Sequence, residues 1–118
     1  MVIKQSIDRR FLRRAAGIFK ALADESRLGL LLMLDQDCEC ARGCEVASPQ
    51  AQRTLSDAGR QLGISMPTVS HHLKQLQRAG FITCIRSGRR VQCATNLEPL
   101  QEILAALGMR QSSRRGAQ

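Results

Sequence analysis

A glycine, a serine and a proline within the five residues Gly63–Pro67 do most to constrain this chain. Leu55, Ala58 and Leu62 recur at helical spacing and stop at Gly63. Ser65 is a good N-cap for a following helix, and Pro67 falls in its first turn, where the missing N–H costs nothing. Val69, His72, Leu73 and Leu76 mark the inward side of that second helix, and Gly80 ends it. A short helix, a tight turn and a second helix form a helix-turn-helix, whose second helix is built to enter a major groove.

The remaining elements follow from the same periodicities. Phe11, Leu12, Ala15, Ile18, Phe19 and Leu22 predict a helix over Arg9 to Ala23 with Arg9, Arg10, Arg13 and Arg14 on its opposite side. Asp24 is placed to cap a second helix with Leu28, Leu31, Leu32 and Met33 as its buried side. A polar, Cys-rich connection over residues 36–53 is expected as an inserted loop. Beyond Gly80, Phe81-Ile-Thr-Cys-Ile-Arg and Arg90-Val-Gln-Cys-Ala-Thr flank Gly88-Arg89, a pair suited to a type II′ hairpin turn. A last helix is expected over Glu98 to Leu107, with Asn96 as its cap. The fold class is therefore mainly α, a winged helix-turn-helix with one β-hairpin wing. Residues 1–107 form the domain, and 108–118 a disordered basic tail.

The charge balance names a class of partner. Eighteen Lys and Arg against ten Asp and Glu leave a formal +8, which favours a polyanion, and nucleic acid is the commonest one. The longest apolar run, Leu28 to Leu34, is too short to span a bilayer, and the first residues lack the apolar stretch of a signal peptide. A cytoplasmic protein with reduced thiols and no membrane partner is expected, and five cysteines, an odd number, argue against a secreted disulfide scaffold.

With the inward set removed, the second helix presents Ser65, Met66, Thr68, Ser70, His71, Lys74 and Gln75. The hydroxyls suit phosphates or base edges and Lys74 suits phosphate. Arg86, Arg89 and Arg90 surround the hairpin turn and are placed to reach an adjacent minor groove. Several segments taken together, Phe19-Lys-Ala-Leu-Ala-Asp-Glu-Ser-Arg-Leu, Leu62-Gly-Ile-Ser-Met-Pro-Thr-Val-Ser-His-His-Leu-Lys-Gln-Leu, Arg78-Ala-Gly-Phe-Ile and Ser87-Gly-Arg-Arg-Val, resemble the ArsR/SmtB family of winged-helix repressors over roughly residues 10 to 107. The resemblance implies a homodimer built from the first and last helices, bound to a two-fold symmetric operator until an inducer releases it. Met66 departs from the pattern, standing where many relatives place a Gln.

Three thiols crowd into Cys38-Glu-Cys40-Ala-Arg-Gly-Cys44. Thiolates prefer soft centres, and trivalent arsenic and antimony take three sulfurs in a pyramid, whereas structural zinc wants a fourth ligand. Arsenic sensors of the family that the chain resembles often carry Cys-x-Cys-x-x-Cys at the start of the third helix; here the spacing is one residue longer and lies before that helix. The expected inducer is As(III) or Sb(III) on Cys38, Cys40 and Cys44, with no constitutive cofactor. A second site remains open. With Gly88-Arg89 as the turn, Cys84 faces Cys93 on a non-hydrogen-bonded pair, where the two thiols can form a redox disulfide, hold a methylated arsenical, or simply pack as small hydrophobes. The last helix holds no His, Cys or Asp for the zinc site that some relatives build there, and His71 and His72 are adjacent, about 100° apart on a helix, and poorly placed to chelate together. An enzyme is not expected, since the chain lacks a Cys-x-x-Cys redox motif and a phosphate loop.

Overall fold

Capping residues set most of the element boundaries in this protein. A computed structural model describes residues 8–108, the side chain of Cys38 excepted. In chain order the described elements are α1 (Arg9–Leu22), α2 (Glu25–Gln36), α3 (Cys38–Arg42), β1 (Cys44–Glu45), α4 (Pro49–Leu62), α5 (Met66–Arg78), β2 (Ile82–Ser87), β3 (Arg90–Thr95) and α6 (Glu98–Ala106). Asp8, Asp24, Asp37, Ser48 and Ser65 each accept a backbone N–H of the helix they precede, a contribution of about 1 kcal/mol per cap. At α6 the N-cap is Leu97, with no side-chain cap bond; Asn96 Oδ1 accepts from the Glu98 N–H at 3.1 Å one residue earlier than a cap normally would.

The core is built around α2, which packs against α1, α3, α4, α5 and β3. Leu30, Leu31, Leu34, Val69, Leu76 and Phe81 are buried there, joined by Ile18 from α1 and Ile103 from α6. The buried side of α2 is thus Leu30, Leu31 and Leu34, while Leu28 and Leu32 are exposed. This differs from the expected set because α2 is apolar nearly all round and carries no moment to choose a face. Phe19 and Leu12 of α1 are likewise exposed, although they share the helical spacing of Ile18.

The segment 36–53 is not a loop. α2 runs to Gln36, and Asp37 at once caps α3 by accepting from the Glu39 and Cys40 N–H groups. β1 then adds to the wing, giving a three-stranded antiparallel sheet in the order β1-β3-β2. α4 starts at Pro49, well before Leu55, because Ser48 supplies a cap and Pro49 takes the first helical position. Its first turns are polar apart from the buried Ala51, so they show no apolar period. The hairpin has the expected register, Ser87 opposite Arg90 and Cys84 opposite Cys93. Gly88 at φ +65° is followed by a residue of negative φ, as a type II′ turn requires. The expected disordered tail lies, from residue 109 on, outside the described residues. Among those described, no helix is long and apolar enough to cross a membrane.

Candidate nucleic-acid interface and thiol site

α4, the turn and α5 form the helix-turn-helix. The turn is possible because Gly63 adopts the left-handed conformation, φ +71°, while its N–H and that of Ile64 return to carbonyls of the last turn of α4. Gly59 permits the close approach of the two helices, since a Cβ there would stand 3.1 Å from Val69 Cγ2 and 3.2 Å from the Ile64 carbonyl oxygen. Val69, His72 and Leu76 face inward, as the periodicity requires. Ser65, Met66, Ser70, His71 and Lys74 are exposed along the outer side of α5, and Thr68 is half-buried, its hydroxyl 3.0 Å from that of Ser65. Arg86, Arg89 and Arg90 are all exposed on the wing. The fold therefore presents the predicted hydroxyl, imidazole and ammonium groups on the surface of the reading helix.

His72 is not part of that surface. It is buried, its Nδ1 accepts from Arg27 Nε at 3.4 Å, and its Nε2 lies 3.8 Å from Asp24 Oδ1. Arg27 also donates to the Ala21 carbonyl at 2.8 Å. The reading helix is thereby tied to the junction of α1 and α2, a link that adjacent histidines in a sequence cannot announce.

Three of the cysteines lie against α4 and α5, in a cavity that Leu55 and Leu73 also line. Cys40 is buried, at 6% exposure, and its Sγ lies 3.6 Å from Cys44 Sγ. Burial pushes the Cys40 thiol up to about 12, with the neighbouring Cys44 and the Asp37 carboxylate acting in the same direction. The Cys38 side chain lies outside the described structure. Cys84 and Cys93 are joined in a disulfide, with Cα atoms 4.0 Å apart. Cys40, Cys44 and Cys93 together line a cavity of about 280 Å³ whose other walls include Leu34, Leu55 and Ile82. Among the described residues no three of His, Cys, Asp and Glu group closely enough to hold a metal ion in this disulfide-bonded form.

Asp37 is a residue that sequence reasoning missed. Besides capping α3, its second oxygen accepts from the Thr54 hydroxyl at 3.1 Å, so one carboxylate joins the thiol helix to α4. The acidic residue before a Cys-rich stretch was the available signal. Hydrogen bonds from the Cys40 N–H, Thr54 and the Glu39 N–H hold its carboxyl below the ordinary value of 3.8.

This architecture, two helices crossing at a glycine turn beside a basic wing, defines a winged helix-turn-helix protein. The helix-turn-helix domain family matches residues 22–85. A helix-turn-helix type transcriptional regulator of Methanocaldococcus jannaschii is 33% identical over 78 residues, covering 64% of this chain and 70% of the relative. A crystal structure of an ArsR family transcriptional regulator superposes with a TM-score of 0.55 at 25% identity, covering 81% of this chain and 84% of the other. A homodimeric winged helix-turn-helix DNA-binding domain from Mycobacterium bovis, solved in solution, shares the fold with a TM-score of 0.51 at 22% identity over 92% of this chain and 95% of that one. The chain belongs to the ArsR family of helix-turn-helix transcriptional regulators, DNA-binding proteins rather than enzymes.

Proposed function

We propose that this regulator is a repressor that holds operator DNA as a homodimer and releases it when cysteine thiolates beside the reading head bind trivalent arsenic or antimony. The observation that carries this reading is the 3.6 Å separation of the Cys40 and Cys44 sulfurs. Thiolates bound at about 2.3 Å to one centre stand roughly 3.5–4 Å apart, so the pair needs little movement to close on a thiophilic centre. A trivalent metalloid takes a third sulfur, for which the sequence offers Cys38 of the same helix. Arsenite is a neutral trihydroxide that condenses with thiols and releases water. A Cys40 thiol that burial keeps protonated therefore suits it better than a divalent cation, which binds only deprotonated thiolate.

Release follows from where the pair sits. α3 and β1 connect α2 to α4, and Asp37 links α3 to Thr54 of α4. The pair itself moves little, and it is recruitment of the third sulfur that pulls on α3 and β1, shifts the entry to the helix-turn-helix and changes the spacing of two reading heads. A coupling of about 1–3 kcal/mol, a 5- to 150-fold loss of DNA affinity, is ordinary for such a switch. The homodimer is supported by Leu12, Phe19 and Leu107, which leave 55%, 48% and 63% of their surface exposed on α1 and just past α6, and by the homodimeric Mycobacterium bovis domain. On DNA, α5 would offer Ser65, Met66, Thr68, Ser70, His71 and Lys74 to one major groove and the wing Arg89 and Arg90 to the neighbouring minor groove.

Cys40→Ser tests the reading. In mobility-shift assays on duplexes selected from a random library, the variant should bind as the parent does and no longer release on adding arsenite. Normal release by the variant sinks the assignment. A second reading is favoured by the disulfide itself: a thiol-redox repressor in which Cys84 and Cys93 open and close, or, once reduced, take a methylated arsenical. Peptide mass spectrometry after peroxide, run beside an arsenite titration, separates the two.

A further inference from the structure

We propose that the third thiolate of the metalloid site is Cys93 of the wing, and that the Cys84–Cys93 disulfide is a lock that withholds it. The inference rests on the reading that Cys40 and Cys44 bind the metalloid. β1 pairs with β3 so that Cys44 stands opposite Cys93, and β2 pairs with β3 so that Cys84 stands opposite the same residue. Residues directly opposite on antiparallel strands project to one face, which sets Cys44, Cys93 and Cys84 in a single row across the sheet. Cys40 extends the row from α3, 3.6 Å from Cys44. Three of these four cysteines line one cavity with predominantly apolar walls.

Reach favours Cys93. Directly opposed residues have Cβ atoms about 4.5–5.5 Å apart, so a side-chain rotation brings the sulfurs of Cys44 and Cys93 within the roughly 3.5–4 Å that a shared centre requires. Cys40 is turned into the core, and α3 packs against β3, the strand that carries Cys93. A site of Cys40, Cys44 and Cys93 therefore keeps the existing strand pairing and asks only for side-chain rotation.

While the disulfide stands, Cys93 has no thiolate to give. A cellular dithiol opens it: the dithiol's two electrons cleave the S–S bond, its two protons go to the Cys84 and Cys93 sulfurs, and it leaves as its own disulfide. Cys40, Cys44 and Cys93 then condense with arsenite. Three As–O bonds break, three As–S bonds form, the thiol protons leave in three waters, and Cys84 stays free. The three-thiol site is thus complete only under reducing conditions, and its occupancy fastens the wing to α3.

The test uses the full chain, arsenite as probe, and a phosphine reductant, which does not compete for arsenic as a dithiol does. Alkylation followed by peptide mass spectrometry should find Cys40, Cys44 and Cys93 protected in the reduced, arsenite-loaded protein, with Cys84 alkylated. The disulfide-bonded protein should bind arsenite more weakly by roughly 5- to 150-fold. Cys84→Ser, in which the lock cannot form, should bind equally well with and without reductant. Protection of Cys40 and Cys44 with Cys93 alkylated overturns the inference and leaves the metalloid reading standing; protection of none of them overturns both. If Cys84→Ser misfolds, the alkylation map of the parent chain decides.

Discussion

Replacing Gly59 by alanine sets two known effects against each other. An interior helical glycine costs about 0.5–1 kcal/mol relative to alanine, so on propensity alone Gly59→Ala stabilises α4. The added methyl, however, would stand 3.1 Å from Val69 Cγ2 and 3.2 Å from the Ile64 carbonyl oxygen. Neither neighbour yields easily. Val69 is fully buried and stiff at χ1, and Ile64 is backbone of the turn itself. Overpacking of this kind costs about 1–3 kcal/mol, so the net change is a destabilisation of up to roughly 2 kcal/mol. Gly17→Ala in α1 is the control, since a Cβ there meets nothing within 4 Å and only the propensity gain remains. Thermal unfolding at fixed protomer concentration reads both, at about 4–8 °C per kcal/mol for a domain of this size. Gly59→Ala should melt below the parent and Gly17→Ala above it. A rise for Gly59→Ala comparable to that of Gly17→Ala refutes the claim that helix approach at Gly59 fixes the reading head.

Two further outcomes follow from particular contacts. Asp37→Ala removes a cap and the bond to Thr54, and should cost about 1–2 kcal/mol in urea unfolding at neutral pH. Because the folded carboxyl titrates below 3.8, its stabilisation is present above that pH and lost as pH falls through the depressed value; parent and variant should therefore converge only in that acid range, and convergence near pH 6 would contradict the assignment. Replacing Arg89 and Arg90 together by serine should weaken DNA binding and flatten the plot of log affinity against log salt by roughly 0.9 per lost phosphate contact; an unchanged slope would take the wing off the DNA backbone.

The helix-turn-helix and the hairpin were legible because local chemistry specifies them. Gly63, Ser65 and Pro67 punctuate the turn, and Gly88 fixes a register from which every other hairpin pair follows. What was missed depends on contacts distant in sequence. α3 and β1 are too short to show any period; Asp37 and pairing to β3 hold them in place. The buried face of α2 was misjudged because leucines surround it, and neighbours rather than periodicity choose the side. The same limit applied to the thiols. Cys84 and Cys93 could be paired by counting outward from a turn, but the place of Cys44 beside Cys93 depends on a strand pairing that nothing local encodes.

β1 contributes only Cys44 and Glu45 to the sheet, and it meets β3 at Cys93 and Gln92, with α4, α5 and β2 all lying between the two strands in sequence. A hairpin such as β2–β3 closes in about 1–10 μs, whereas a contact between distant segments must first meet the entropy of the large loop it closes. So short a strand also has few amide hydrogen bonds to hold it, which places it among the parts of a fold that open locally before the rest. Fraying of β1 would uncover the thiol cavity and loosen the entry to α4, whose capping Ser48 donates its N–H to the Glu45 carbonyl, so a small solute would gain access through the opening of two residues while α5 stays folded.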